Sequence, residues 1–448
     1  METQEKSIID NLSQFIRKSI TLKLLSIFIL MMLLMIPMEF VRQLINEREN
    51  YRQVAITEVS NEWAKEQQIY GPVLTIPIQK QVVINDKMEL VREQAHLLPS
   101  LLNIDGKIQP KSLKRGIYEV VVYDSKVSFS GNYTGLAKHI SDMQGYEILW
   151  DEAFITINIS DLRGIKEKVY VNWNGSDIAV EPGSKIPELI PSGITVNNVL
   201  NQSIDTANFS FKFDLHIQGS QYVGFLPLGK ETNVSLTSDW PDPSFSGSFL
   251  PDQRNVNKKG FNASYKILEL NRNYPQFWIG ERNMDNIRES NFGVNLLLPM
   301  NDYQKSTRSA KYALLTIALT FLTFFLVEIF NKKRVHPFQY VLVGFALCIF
   351  YTLLISISEH LNFDAAYAIA SAIVIAMIGL YANAILKNLR QVIILVAVLI
   401  LTYLFVYLTL QLQDYALLIG SIGITSILAL TMYITRNVNW YDQSAIKN

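Results

Sequence analysis

The chain has 448 residues, 40 basic and 40 acidic, with a formal net charge of zero. That balance carries no electrostatic footprint for a nucleic acid, so none is expected as a partner. A single cysteine, Cys348, excludes an internal disulfide and argues against a cysteine-based metal site.

Residues 1–21 form the first expected element. Ile8, Ile9, Leu12, Phe15 and Ile16 recur at helical spacing, with Ser7 and Asp10 placed as a capping box. The pattern fits a short amphipathic helix on the cytoplasmic face of a membrane, or an extension of the helix that follows. Six stretches reach the roughly 20 apolar residues that a membrane helix needs: about 22–41, 310–330, 338–358, 365–386, 391–410 and 414–434. The first has the basic flank of a signal sequence. Met38-Glu39-Phe40-Val41-Arg42 then follows it with no small-residue cleavage site, so it reads as an uncleaved anchor.

Lysine and arginine set the expected orientation. Lys6, Arg17, Lys18 and Lys23 precede the first span. Lys332, Lys333 and Arg334 follow the second, Lys387 and Arg390 the fourth, and Arg436 and Lys447 the sixth. The alternate loops, HLNF and QLQD, carry none. Both termini are therefore expected inside, with residues 42–309 outside and 435–448 as a cytoplasmic tail.

Beyond the first span a helical pattern continues through Leu44, Ile45, Tyr51, Ala55, Val59 and Trp63. Gly71-Pro72 is expected to end it, because Pro72 cannot extend the hydrogen-bond ladder. The texture then changes to short runs rich in Val, Ile, Phe, Tyr and Thr, such as VLTIPI, AFITINIS and NFSFKFDLHI, separated by Gly, Asn, Asp and Pro. In the last of these, Phe209 to Ile217 alternates apolar and polar residues as a half-buried antiparallel strand does. That places His216 on the polar face as a solvated side chain. The fold class is a membrane α-helical bundle, one helix N-terminal and five C-terminal, with a large inserted all-β domain. The β domain is a sandwich, or two subdomains with a seam near Pro182–Pro191; one helix is expected at TGLAKHISDM.

Motifs for nucleophilic, phosphate-binding or zinc chemistry are absent from the sequence, and no cofactor is implied. In the loop DWPDPSFSGSFLP, Asp239, Trp240 and Asp242 read as a ligand loop or as a strand connection whose Trp240 fills the core. In ISDLRGI, Asp161 and Arg163 are placed to pair within a turn.

Ionisable residues in membrane spans are costly, and they are usually paired or functional. Glu359 sits at the negative end of the third span, where a carboxylate needs a cation. Lys311 or Arg308, at the outer end of the second span, is expected to supply it. At the inner end, Glu328 can pair with Lys332 or reach toward the start of the third span, where His336 precedes Pro337. His360 favours a helix end as a cation, and Asn362 or Asp364 can cap the fourth span. The functional counter-reading is a proton or ion path from Glu359 and His360 to Glu328.

Taken together, ISDLRGI, YVGFLPLG, SDWPDPSFSGSFLP, NRNYPQFW, RSAKYALL, FFLVEIF, RVHPFQYVLVGFAL and IFYTLLISISEHLNFDAAYAIA resemble the CreD family of bacterial inner-membrane proteins, also described as cell envelope integrity or colicin-tolerance proteins. The resemblance covers nearly the whole chain. It implies a multipass protein with a large periplasmic domain, made under envelope stress and linked to the β-lactam response, without an established enzymatic activity or ligand. The matching positions in the membrane domain are Arg308, Lys311, Glu328, His336, Gln339, Tyr340, Glu359 and His360. The expectation is a non-enzymatic envelope protein whose partners are the bilayer and an envelope component or periplasmic protein. A transporter or lipid-handling protein is the first alternative, and a membrane-tethered hydrolase the second.

Overall fold

In a computed structural model, residues 20–436 are described, apart from 85, 201–207, 297–301, 332–334 and 413–414. The amphipathic segment expected over residues 7–18 lies outside them, as do Lys332, Lys333 and Arg334. The chain divides into two compact units: Met1–Tyr51 with Met300–Asn448, and Arg52–Pro299.

The first unit is helical. Among the described residues, six helices are long and apolar enough to cross a membrane: Leu22–Trp63, Gln304–Ile329, Pro337–Ser358, Phe363–Leu386, Leu389–Gln411 and Leu418–Thr435. The first is longer than the expected span, because the helical pattern does continue to Trp63. It consists of two helical segments, Ile20–Leu33 and Met35–Trp63. The break falls one turn before Pro37, whose missing N–H would have bonded to the Leu33 carbonyl. Ile27, Leu34, Met38, Val41 and Ile45 of this helix share a core with Phe321, Phe324, Leu347, Phe350 and Tyr351. Gly344 lets the first span approach the third: a Cβ there would lie 2.2 Å from Leu34 Cδ1. Small residues at such crossings are the usual way for membrane helices to pack, since lipid gives them no hydrophobic drive to associate. An aromatic knot ties the third, fourth and fifth spans. Phe350 sits 5.3 Å from Tyr367 and 4.7 Å from Tyr403, and the Tyr367 hydroxyl donates to the Tyr403 carbonyl at 2.8 Å.

The second unit is β-rich, with the end of the long helix and the helical turns that connect its strands as its other elements. A ten-stranded sheet runs in the order Pro243–Gly247, Phe292–Leu296, Tyr222–Phe225, Gln67–Ile84, Phe154–Ile159, Gly193–Asn197, Glu181–Pro182, with three further strands off this path. An eight-stranded sheet runs Gln253–Asn257, Gly260–Leu268, Glu231–Ser238, Leu101–Arg115, Tyr118–Thr134, Asn208–Ser220, Tyr170–Trp173, Ser176–Ala179. Both are mixed. Gln67–Ile69 runs parallel to Val223–Phe225, and Glu231–Ser238 runs parallel to Leu101–Ile108. One continuous core joins the two sheets, so the unit is a single sandwich. The stretch considered as a seam is part of it: Glu181–Pro182 pairs in the larger sheet, and Ile186, Leu189 and Ile190 are core residues. The strand Asn208–Ser220 alternates as its sequence dictates, with Phe209, Phe211, Phe213, Leu215 and Ile217 buried. A helix does form at Leu136–Ile140.

Gly71-Pro72 does not end the helix. It lies inside the strand Gln67–Ile84, where the pairing with Phe154–Ile159 shifts register between Tyr70 and Val73. A strand accepts proline at such a bulge, where no ladder bond is lost. Gly71 has φ of 127°, and an added Cβ would meet Ile157 Cα and Thr156 O at 3.0 Å. The helix ends eight residues earlier, at Trp63. Its segment within this unit packs Ile56 and Val59 on Val120 and Val122, with Trp63 against them.

Candidate functional site

Two carboxylates tie the membrane helices together. On the second span, Phe321, Phe324, Phe325 and Glu328 fall on one helical face, so the apolar stripe that enters the core ends on an acid. Glu328 is 6 % exposed. It takes a charge-assisted bond from Lys23 of the first span and accepts the Val335 N–H at 3.0 Å and the Tyr340 hydroxyl at 3.2 Å. Phe321 and Phe324 close over Tyr340 at 5.4 and 5.9 Å. Of the two expectations for Glu328, the reach toward the third span is observed, whereas Lys332 lies outside the described residues. The cation was missed. Lys23 lies on the same face as Ile27, Leu30 and Leu34, which is where a sequence signal existed. His336 caps the third span: its Nδ1 accepts the Phe338 N–H at 3.2 Å, and its own N–H donates to Gln339 Oε1 at 2.9 Å.

At the opposite end of the spans, Glu359 is paired, but with a different residue from those expected. Arg48 Nε lies 3.4 Å from Glu359 Oε1. Arg308 is half-buried and Lys311 exposed, and neither forms an ion pair among the described residues. The reason is the length of the first helix. It continues past the span, and the step Val41, Ile45, Arg48 keeps the arginine on the face that packs inward. The pair is loose, for Glu359 Oε1 is buried without a hydrogen-bond donor. His360 is exposed. Asn362 caps the fourth span by accepting the Ala365 N–H at 2.9 Å, and Asp364 accepts from Gln411 at 2.7 Å. Arg308, Lys311 and His360 are therefore not drawn into one cluster with Glu359, and Glu328 and His336 belong to the other end.

In the β unit, Asp161 and Arg163 do pair. Arg163 Nε and Nη2 approach the two Asp161 oxygens at 2.9 and 2.5 Å, and Nη1 donates to the Asn61 carbonyl at 2.6 Å. The Lys65 N–H adds a bond to the same carboxylate at 3.0 Å. The Arg163 hydrogen bond is the main reason that the Asp161 carboxyl titrates low, at about 2. This motif fastens the end of the long helix to the turn after Phe154–Ile159.

His216 departs from its expected role. It is half-buried between two acids: Nδ1 meets Glu167 Oε1 at 2.9 Å and Nε2 meets Asp124. The bond to Glu167, followed by that to Asp124, holds its pKa above the ordinary histidine value. His96 is the opposite case. It is 2 % exposed and sits 3.0 Å from Thr75 Oγ1 and 5.1 Å from the Trp278 ring. Burial pushes its pKa down to about 4, so it stays neutral. Asp239 and Asp242 are exposed, Trp240 packs against the core, and the Phe245 ring meets Phe261 edge-on at 5.6 Å. No group of three His, Cys, Asp or Glu side chains arranged to hold a metal ion occurs among the described residues. The loop leads into the strand Pro243–Gly247, as a strand connection does.

A family model described as "Inner membrane protein CreD" matches residues 19–441. The inner membrane protein CreD of Escherichia coli strain K12 is 32 % identical over 430 residues, which is 95 % of this chain and 94 % of that one. A solved structure described as "a putative protease" from Parabacteroides distasonis covers 67 % of this chain and 59 % of its own, at 9 % identity and a TM-score of 0.23. At that score the likeness carries neither fold nor function.

Proposed function

Because the chain belongs to the CreD family of inner membrane proteins, with six membrane helices and a large β unit, we propose that it acts without catalysis to maintain the cell envelope. In this reading the β sandwich lies outside the inner membrane, both termini lie inside, and the sandwich meets an envelope component or a periplasmic protein. The lysine and arginine pattern of the loops supports that orientation. The observation that carries the non-transport part of the reading is the fate of the two membrane carboxylates, Glu328 buried and Glu359 half-buried. Each is matched to a cation from the first helix, near the end of its own helix: Glu328 to Lys23 and Glu359 to Arg48. A coupled transporter keeps its charged site near the bilayer midplane on broken helices. Carboxylates paired at helix ends, Glu328 most firmly, do the work of a clamp instead.

The test is complementation under β-lactam stress in a strain lacking the gene. Glu328→Gln with Lys23→Met keeps the fold's shape and removes both charges. Retained tolerance at wild-type abundance is the expected result. Loss of tolerance at unchanged abundance would overturn the clamp reading and favour a proton or ion path.

A further inference from the structure

The outward face of the eight-stranded sheet has a composition of its own. Paired positions run across seven strands as Lys266, Asn233, Asn103, Ser130, Lys212, Asn172 and Asp177. At about 4.8 Å per strand, this row is roughly 29 Å long. Two open grooves, of about 670 and 700 Å³, lie side by side on this face, with Asp105 lining both. Within the row, Asn233 Nδ2 donates to Asn103 Oδ1 at 3.1 Å and Asn172 Nδ2 donates to Asp177 at 2.7 Å. Asn103 Nδ2 and Asn233 Oδ1 therefore keep a donor and an acceptor for something else. Apolar surface stands at each end, with Tyr170 51 % and Leu268 40 % exposed. Charge is balanced along the grooves: five carboxylates face four lysines and His216.

We propose that this face binds a neutral glycan chain laid across the strands. Side-chain amides and hydroxyls offer paired donors and acceptors to neighbouring sugar hydroxyls. Tyr170 offers a flat ring to the C–H face of a sugar, and the charge balance gives no purchase to a polyanion. An elongated groove of this kind gains contacts with each added sugar, so affinity rises with chain length. The natural occupant rests on the reading that the β unit lies outside the membrane, whereas binding itself does not depend on it.

The experiment titrates the full chain, purified in a detergent without sugar headgroups, with N-acetylglucosamine dimer, tetramer and hexamer and with a sulfated glycan. Saturable hexamer binding at least tenfold tighter than dimer binding is expected, as is a tenfold or greater loss in Asn103→Ala with Asn233→Ala at an unchanged melting temperature. No saturable binding of the hexamer, equal affinity at all lengths, or binding of the sulfated glycan alone would overturn the proposal. Labelling of a cysteine placed at the exposed Asp239 in intact cells reports the placement of the β unit separately, so the two readings fail independently.

Discussion

The two carboxylates of the membrane unit answer the same problem differently. Glu328 is nearly closed off from its surroundings and receives a lysine, a phenol and a backbone N–H. Glu359 is matched only by charge, across 3.4 Å, with one oxygen left without a donor. The difference teaches that an acid at a helix end is fixed by what the neighbouring helix brings, and not by its own position alone. At one end of the spans three helices converge on Glu328. At the opposite end a single arginine reaches Glu359 from the continuing first helix.

The largest effect is therefore expected at Glu328. Glu328→Ala removes the carboxylate that faces Lys23 and leaves the Val335 N–H unpaired, and breaking a buried pair from one side costs about 3–5 kcal/mol. Thermal unfolding in detergent and abundance in the membrane should both collapse. If Glu359→Ala proved the more damaging change, the contrast would be inverted. Next comes Asp161→Asn in the β unit. The Asp161 carboxyl has its pKa depressed to about 2, so its contribution is present above the unfolded value near 4 and is lost as pH falls toward 2. That shift corresponds to about 2 kcal/mol at neutral pH. The variant should unfold earlier at pH 7 and no earlier than wild type at pH 2.

A smaller loss, about 1 kcal/mol or less, is expected for Glu359→Gln, because a partly exposed pair is weak. Its partner is what sharpens the comparison: a double-mutant cycle should show coupling of Glu359 to Arg48 and none to Lys311. Smallest is the effect of His216→Gln, read as a pH slope. The His216 pKa is raised in the folded state, so its contribution is complete below about 6.5 and fades as pH rises through the higher folded value. Melting curves from pH 6 to pH 9 should lose that slope in the variant and keep it in wild type.

Much of this was legible in the residues. The six apolar runs, the alternation of Phe209 to Ile217 and the Asp161–Arg163 turn all follow from period and spacing, which are local properties. Glu328 and Glu359 could be flagged as acids in need of cations for the same reason. Their partners could not be read from loop order, because both come from a helix some 300 residues away in sequence. Facing residues on one helix, Lys23 with Ile27 or Arg48 with Ile45, were the available signal, and it needs the packing partner to be meaningful. Gly71-Pro72 misled for a related reason: a proline that would end a helix is equally at home in a bulge. His216 was read from its own strand, whereas Asp124 and Glu167 reach it from a neighbouring strand and a loop.

The central claim is that the buried acid Glu328 holds the membrane helices together through Lys23. A double-mutant cycle on Lys23→Met and Glu328→Gln, read as the unfolding of the full chain in detergent, tests it most directly. The account predicts that each single variant is destabilised and that the double variant recovers most of the loss. Additive losses, with no recovery in the double, would contradict it.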